Sequence, residues 1–301
     1  MDINELIIGI DIGGTKIAAG LVNKKGNIIE KKKVSTDLSG EKAILYQVKD
    51  IIKAFLQQSN YKNIAGIGIG LPGTVDQENG IAVKASNLPY KSLVLGPELS
   101  SYFSLPVYLE NDGDAGTLGE KWFGKGKGKN KFIYFTVGTG IGAGIIAGDN
   151  LIRGCEIGHT IVKPEGPVCK CGSKGCLEAV ASGPAIARLM KQKSNKTYST
   201  REVFALAEKG NKTALKVIEE VSYNLALGLI NIWQIIDPEL IILGGGVIMG
   251  ARQTLVAPVK NHIKNILSSG NSLISSLIIS KLEQSGMVGA AAVLLERENT
   301  N

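Results

Sequence analysis

The chain has 301 residues, 44% of them apolar and 20% charged, with a formal net charge of +7. That apolar share suits one large or two ordinary globular domains and excludes an extended disordered chain. The N-terminal MDINELIIGIDIGG lacks a basic stretch ahead of a signal-peptide core, and the four cysteines suit a reducing compartment, so a cytoplasmic protein is expected.

Leu6–Ile12 reads as an apolar strand ending at Gly13-Gly14. Ile17–Val22 follows as a second strand, and Gly26 turns the chain into a third. The basic run Lys31–Lys33, like Lys125–Lys131 further on, has no interleaved aromatics. Both read as solvated loops, so no nucleic-acid partner is expected. Glu41–Gln58 places Ile44, Val48, Ile51, Ile52, Phe55 and Leu56 on one face of a helix. Ile64–Gly70 and Val107–Glu110 are strand-like, and Asn111–Trp122 reads as a loop running into a helix. At Phe132 the opening pattern returns. IYFTVGTGIGAGII parallels IGIDIGGTKIAAGLV, with Asp11 opposite Thr136, Gly13 opposite Gly138 and Gly14 opposite Thr139. Two such units suggest a duplicated α/β domain with a cleft between the copies.

The rest of the chain is mostly helical. Ser199 and Glu202 form a capping box ahead of Val203–Glu208. Val221–Ile236 is too short to span a bilayer, for which about 20 apolar residues are needed, and reads as a buried helix; no membrane partner is expected. Glu239–Leu243 is a strand before Gly244-Gly245-Gly246, and Leu277–Lys281 is a late strand. Gly286–Arg297 is an Ala-rich helix able to pack back on the first domain.

Three glycine-rich turns thus follow apolar strands: Asp11-Ile12-Gly13-Gly14-Thr15-Lys16, Thr136-Val137-Gly138-Thr139-Gly140 and Gly244-Gly245-Gly246. Glycine lets a phosphate approach backbone N–H groups closely, and threonine and lysine add donors. No P-loop or dinucleotide fingerprint is present. Together the turns point to a nucleotide phosphate site; singly, each could be a tight hairpin. Asp11 beside the first turn suits Mg²⁺, which takes one or two carboxylates plus phosphates, or else caps the turn. Asp112 follows a strand and could accept a proton from an alcohol, or cap a helix, for which Asp114 is equally suited.

The most specific feature is EIGHTIVKPEGPVCKCGSKGCLE. One of two histidines and three of four cysteines in the chain fall here: His159, Cys169, Cys171 and Cys176. Three thiolates and an imidazole close a tetrahedral zinc sphere and leave no position for substrate, so the zinc is structural. Gly172 and Gly175 allow the bends such a loop needs. A disulfide or buried free thiols are the competing reading. Glu156 and Glu178 flank this loop and could bind sugar hydroxyls or be solvated acids.

These motifs together resemble the ROK family of sugar kinases and repressors, over essentially the whole chain. DIGGTK (Asp11–Lys16) and TVGTGIGAGI resemble its phosphate motifs, and LGGGV its adenosine motif. LPGTVD (Leu71–Asp76) and SNL (Ser86–Leu88) match its sugar-domain motifs, LENDG (Leu109–Gly113) its catalytic segment, and EIGH with CxCGxxGCxE its signature. The resemblance implies an actin-like ATPase fold of ribonuclease H-like duplicated domains. The small domain is expected at 1–113 plus 285–301 and the large one at 114–284, with the zinc loop at 159–176. It implies ATP, Mg²⁺ and structural Zn²⁺, with Asp112 as base toward a sugar hydroxyl. Gly73, Asn87, Asn111, Glu156, His159 and Glu178 are implied as sugar contacts, His159 using its other ring nitrogen. The expected activity is a glucokinase acting as a homodimer or homotetramer, with N-acetylmannosamine kinase as the rival. Family repressors carry an N-terminal helix-turn-helix, whereas here DIGGTK begins at residue 11, which favours the kinase. One departure is the segment Leu151–Glu156, shorter than the family's usual Gly/Ala-rich loop. There Cys155 replaces a small Gly and is an alternative metal ligand.

Overall fold

The computed structural model describes residues 5–57, 63–85, 87–148 and 150–300. In chain order the elements are β1 (Leu6–Ile12), β2 (Lys16–Asn23), β3 (Ile28–Ser35), α1 (Glu41–Leu56), β4 (Ile64–Leu71), β5 (Thr74–Asp76), β6 (Ile81–Lys84), β7 (Lys91–Val94), α2 (Gly96–Phe103), β8 (Val107–Asn111) and α3 (Asp112–Phe123). There follow β9 (Lys131–Val137), β10 (Ile141–Ala147), β11 (Asn150–Ile152), a 3₁₀ turn at Ile157–His159, α4 (Leu177–Ala181), α5 (Gly183–Ser194), α6 (Thr200–Glu208) and α7 (Lys212–Ile236). The chain closes with β12 (Leu240–Gly244), α8 (Gly245–Gly250), α9 (Arg252–Ile266), α10 (Gly270–Ser276), β13 (Leu277–Ile279) and α11 (Ser285–Thr300). Gln58 and Ser86 of the expected helix and SNL motif lie outside the described residues. Among the described residues no helix is long and apolar enough to cross a membrane.

The chain divides into two compact units, Met1–Gly128 with Lys281–Asn301, and Lys129–Ser280. Each holds a five-stranded mixed sheet, ordered β3-β2-β1-β4-β8 in the first and β11-β10-β9-β12-β13 in the second. In both, the first three strands form an antiparallel meander and the last two run parallel to the central strand. The duplicated glycine-turn units are therefore equivalent hairpins of two sheets with one topology. This is the actin-like, ribonuclease H-like duplication. A smaller three-stranded sheet, β5-β6-β7, is added to the first unit and has no counterpart among the strands expected from sequence.

The boundary expected at 113/114 lies instead at 128/129, which puts α3 in the first unit. The cause is glycine packing between α3 and α11. A Cβ on Gly119 would lie 3.0 Å from the Cα of Gly289, and one on Gly289 would lie 2.5 Å from the carbonyl of Ala115. The same Ala-rich α11 lies flat on the sheet. Cβ atoms on Gly9 and Gly68 would meet the carbonyls of Met287 and Ala290 at 2.1 and 1.8 Å. On the opposite side of that sheet, α1 buries Ile44, Val48, Ile51, Ile52 and Phe55, the face its periodicity marks. The second unit's core gathers β9, β10 and β12 around the long α7. The capping box of Ser199 and Glu202 is formed at the start of α6.

Candidate active site

In the first unit, the β1–β2 turn carries Asp11 through Lys16. Gly13 N–H donates to the Lys16 carbonyl at 2.9 Å, and the Thr36 hydroxyl donates to the Gly13 carbonyl at 2.7 Å, so the turn is held from two sides. Thr15 and Lys16 are exposed at its tip. Gly14 faces Asn87: a Cβ there would lie 3.0 Å from the Asn87 side-chain nitrogen. The phosphate-type turn and the SNL segment are thus neighbours within one unit.

No loop separates β8 from α3, contrary to the loop expected from Asn111. Asn111 ends the strand and caps the helix, its Oδ1 accepting from the N–H groups of Gly113 and Asp114. Its Nδ2 donates to the Gly73 carbonyl at 3.0 Å. The cap is therefore neither Asp112 nor Asp114. Asp112 occupies the first helical position, and its Oδ1 accepts from Gly113 N–H at 2.9 Å. Gly73 itself has φ of +89°, and a Cβ would strike the Lys84 carbonyl at 2.0 Å, so only glycine fits.

Asp11 senses the charge of Asp112. Burial, then the Asp112 charge, pushes the Asp11 pKa up to about 6, with Lys16 partly opposing. Loss of hydration also raises Asp112, against the lowering by Gly113 N–H. The Asp112 side chain still meets solvent, so water screens part of this effect. A half-buried acid beside a second acid is a place where a cation relieves both, which fits the Mg²⁺ reading of Asp11.

Sequence reasoning missed two neighbours of Asp112, Tyr90 and Glu110, and one of Asp11, Gly286. The Tyr90 hydroxyl donates to the Pro72 carbonyl at 3.0 Å, and burial and the Asp112 charge push its pKa up to about 12. Glu110, 1% exposed, accepts from Gln77 Nε2 at 2.8 Å and from Asn111 N–H at 3.1 Å. Gly286 opens α11 against Asp11, where a Cβ would lie 2.2 Å from Oδ2. Only Glu110 carried a signal, as an acid within an otherwise apolar strand.

In the second unit, the equivalent β9–β10 turn closes with Gly138 N–H donating to Gly140 C=O at 2.9 Å. Gly183 N–H, at the start of α5, donates to Gly138 C=O at 2.9 Å. The Thr136 hydroxyl donates to Gly142 C=O at 3.3 Å, and Thr139 is exposed at the tip. The glycines sort into two kinds. Gly140 makes room for Glu178, Gly244 for Tyr134, and Gly245, with φ of +86°, for the backbone of Val137. Gly138 and Gly246 instead face open space, with nothing within 4 Å of an added Cβ. At those two, unlike the other three, close packing does not require glycine. Glu178, in the first turn of α4, accepts from Ile141 N–H at 3.0 Å, which ties it to the foot of the turn.

His159, Cys169, Cys171 and Cys176 converge, with their ligand atoms all within 4.8 Å of one another. Cys169 Sγ lies 3.7 Å from His159 Nδ1, and Cys171 Sγ lies 3.6 Å from Cys176 Sγ. A tetrahedron with Zn–S bonds of about 2.3 Å has edges of about 3.8 Å, so the donors fit zinc. Burial pushes the Cys176 thiol up to about 12, whereas the backbone hydrogen bond of Ser173 lowers Cys171 to about 7, so a bound cation would be needed to hold both as thiolates. Gly175, at φ of +72°, lets the Lys163 carbonyl approach within 1.7 Å of its Cβ position. Cys155 is outside this set and packs on the apolar core. Cys176 occupies the N-cap position of α4 without a side-chain hydrogen bond, so the His/Cys loop leads straight into Glu178. With His159 Nδ1 turned to the sulfurs, its Nε2 faces Glu156, 3.8 Å from Oε2, and Glu156 is exposed.

The chain is similar to known proteins along nearly its full length. It is 35% identical to a glucokinase of Thermotoga maritima, over 97% of this chain and 98% of that one. Its fold matches the crystal structure of a ROK hexokinase from Thermus thermophilus with a TM-score of 0.82 and 30% identity, covering 98% and 99% of the two chains. It also matches a ROK family glucokinase from Streptomyces griseus in complex with glucose and AMPPNP, with a TM-score of 0.79 and 32% identity, covering 97% and 99%. The ROK family pattern matches residues 7–297. With both glycine turns, the Asn111–Asp112 strand end and the His/Cys loop in place, this chain belongs to the ROK family.

Proposed function

We propose that the protein is an ATP-dependent hexose kinase that transfers the γ-phosphoryl group of ATP to the 6-hydroxyl of glucose. The observation that carries this reading is Asp112. It stands at a strand end, its Oδ1 on Gly113 N–H and its pKa raised toward that of a usable base, two residues after an acid that anchors the segment. Its similarity to glucokinases, one of them complexed with glucose and a nucleotide analogue, supports the choice of substrates.

In this reading the glucose 6-oxygen attacks the γ-phosphorus, the bond from that phosphorus to the β,γ-bridging oxygen breaks, and ADP leaves. The proton of the hydroxyl passes to Asp112. Asn87, Asn111 and the Gly73 segment are assigned to sugar binding, as are Glu156, His159 and Glu178, which offer acceptors and a donor to hydroxyls. Asn111 retains one N–H for this purpose, both lone pairs of its Oδ1 being used by the cap and its other N–H by Gly73. The turns at Gly13-Gly14-Thr15-Lys16 and Thr136–Gly140, with Gly246, receive the nucleotide. Asp11 would hold Mg²⁺, which supplies charge neutralisation at the phosphates. His159, Cys169, Cys171 and Cys176 would hold Zn²⁺, which fixes the loop carrying Glu156 and leading to Glu178. A cytoplasmic homodimer or homotetramer is the expected state.

The test is ADP release over a panel of glucose, mannose, fructose, N-acetylglucosamine and N-acetylmannosamine. The reading expects the highest kcat/KM with glucose. A higher kcat/KM with N-acetylmannosamine would move the assignment to that kinase, and no stimulation by any hexose would overturn it.

A further inference from the structure

The segment after β4 is tied at three points, once to Tyr90 just before β7 and twice to the end of β8. Pro72 C=O takes the Tyr90 hydroxyl, Gly73 C=O takes Asn111 Nδ2, and Gln77 Nε2 donates to Glu110 Oε1. The third tie is unlike the others. It joins a half-buried amide on the β5–β6 connection to a carboxylate that is 1% exposed, and the same Oε1 also takes the backbone N–H of Asn111. A carboxylate is costly to bury unless donors converge on it. Here two donors from separate segments end on one oxygen, immediately before Asn111 and Asp112.

We infer that Glu110 and Gln77 are positioning residues of the sugar site, locking the Pro72–Gln77 segment to the strand end that carries Asn111 and Asp112. This rests on the hexose-kinase reading. Orientation is sensitive at such a site: about 1 Å of misplacement is enough to lose two orders of magnitude in rate. Between the Gly73 and Gln77 ties, β5 pairs with β6 and buries Val75, so the two ties share one short piece of the fold. Gly73 is held in a left-handed conformation that places its carbonyl for Asn111, and slack at Gln77 is passed to that carbonyl through only a few residues.

The test compares Gln77→Leu with Glu110→Gln. Gln77→Leu removes one donor from a half-buried surface position and leaves the fold intact. Loss of one hydrogen bond to a charged acceptor should raise the sugar KM by about 5- to 30-fold while the ATP KM stays within about twofold. Both donors end on the same oxygen, so the glutamine carbonyl in Glu110→Gln can serve them, and its sugar KM should stay within about threefold. Hydrogen exchange of the 73–77 amides and of Asn111 should accelerate in Gln77→Leu, with β1 unchanged. That readout does not depend on kinase activity, so it judges the lock even if no hexose is phosphorylated, an outcome that would sink the kinase reading instead. The inference is overturned if Gln77→Leu leaves exchange and sugar KM at wild-type values, or if both KM values rise together with a lowered Tm, the mark of a merely structural contact.

Discussion

Gly246→Ala should make the protein more stable and less active at once. Gly246 lies in the first turn of α8, and an added Cβ meets no protein atom within 4 Å. Alanine in a helix is favoured over glycine by up to about 1 kcal/mol, so Tm should rise by as much as about 3 °C for a unit of this size. The same methyl group projects into the space assigned to the nucleotide. A clash worth about 1.4 kcal/mol raises the ATP KM about tenfold. The neighbouring Gly245→Ala is the contrast. With φ of +86° and a Cβ position 2.4 Å from the Val137 carbonyl, it should lower Tm. Thermal melts and ADP release at saturating glucose with ATP varied measure both effects. An ATP KM within twofold of wild type in a stable Gly246→Ala protein would refute the sorting of the glycines.

The wild type should carry about one zinc per chain, and Cys171→Ser should lose it and raise the sugar KM through Glu156, His159 and Glu178; an active, reduced wild-type preparation without zinc by elemental analysis would contradict this. Asp11 binds its proton more tightly folded, at about 6, than its ordinary 3.8. Its contribution to stability is therefore complete below about pH 4 and is lost as pH rises through 6. Asp11→Asn, measured without added Mg²⁺, should thus melt higher than wild type above pH 6 and equal it near pH 4, while its use of Mg-ATP collapses; an equal Tm difference at both pH values would refute the raised pKa.

What was legible in the sequence was what is local. The hairpin at Asp11–Lys16 and its repeat at Thr136–Gly140, the α1 face, the capping box at Ser199 and the convergence of His159 with three cysteines each lie within one short stretch, so spacing alone points to them. Asn111 misled because END followed by Gly-Asp resembles a turn, whereas the asparagine caps α3 directly. The domain boundary depends on Gly119 meeting Gly289, and the sugar-site ties depend on Gln77 meeting Glu110 and Tyr90 meeting Pro72. Those pairings are set by tertiary packing, and no periodicity announces them. The three glycine turns looked alike in sequence, yet Gly140, Gly244 and Gly245 serve packing while Gly138 and Gly246 face open space.

Asp112→Asn tests the central claim most directly. The amide keeps the size of the side chain and still offers a carbonyl to Gly113 N–H, but it cannot take the proton of the attacking hydroxyl. Single-turnover formation of glucose 6-phosphate from ATP should slow by about 10²-fold or more, with glucose affinity by calorimetry changed far less. A variant that forms glucose 6-phosphate at the wild-type rate would contradict the account.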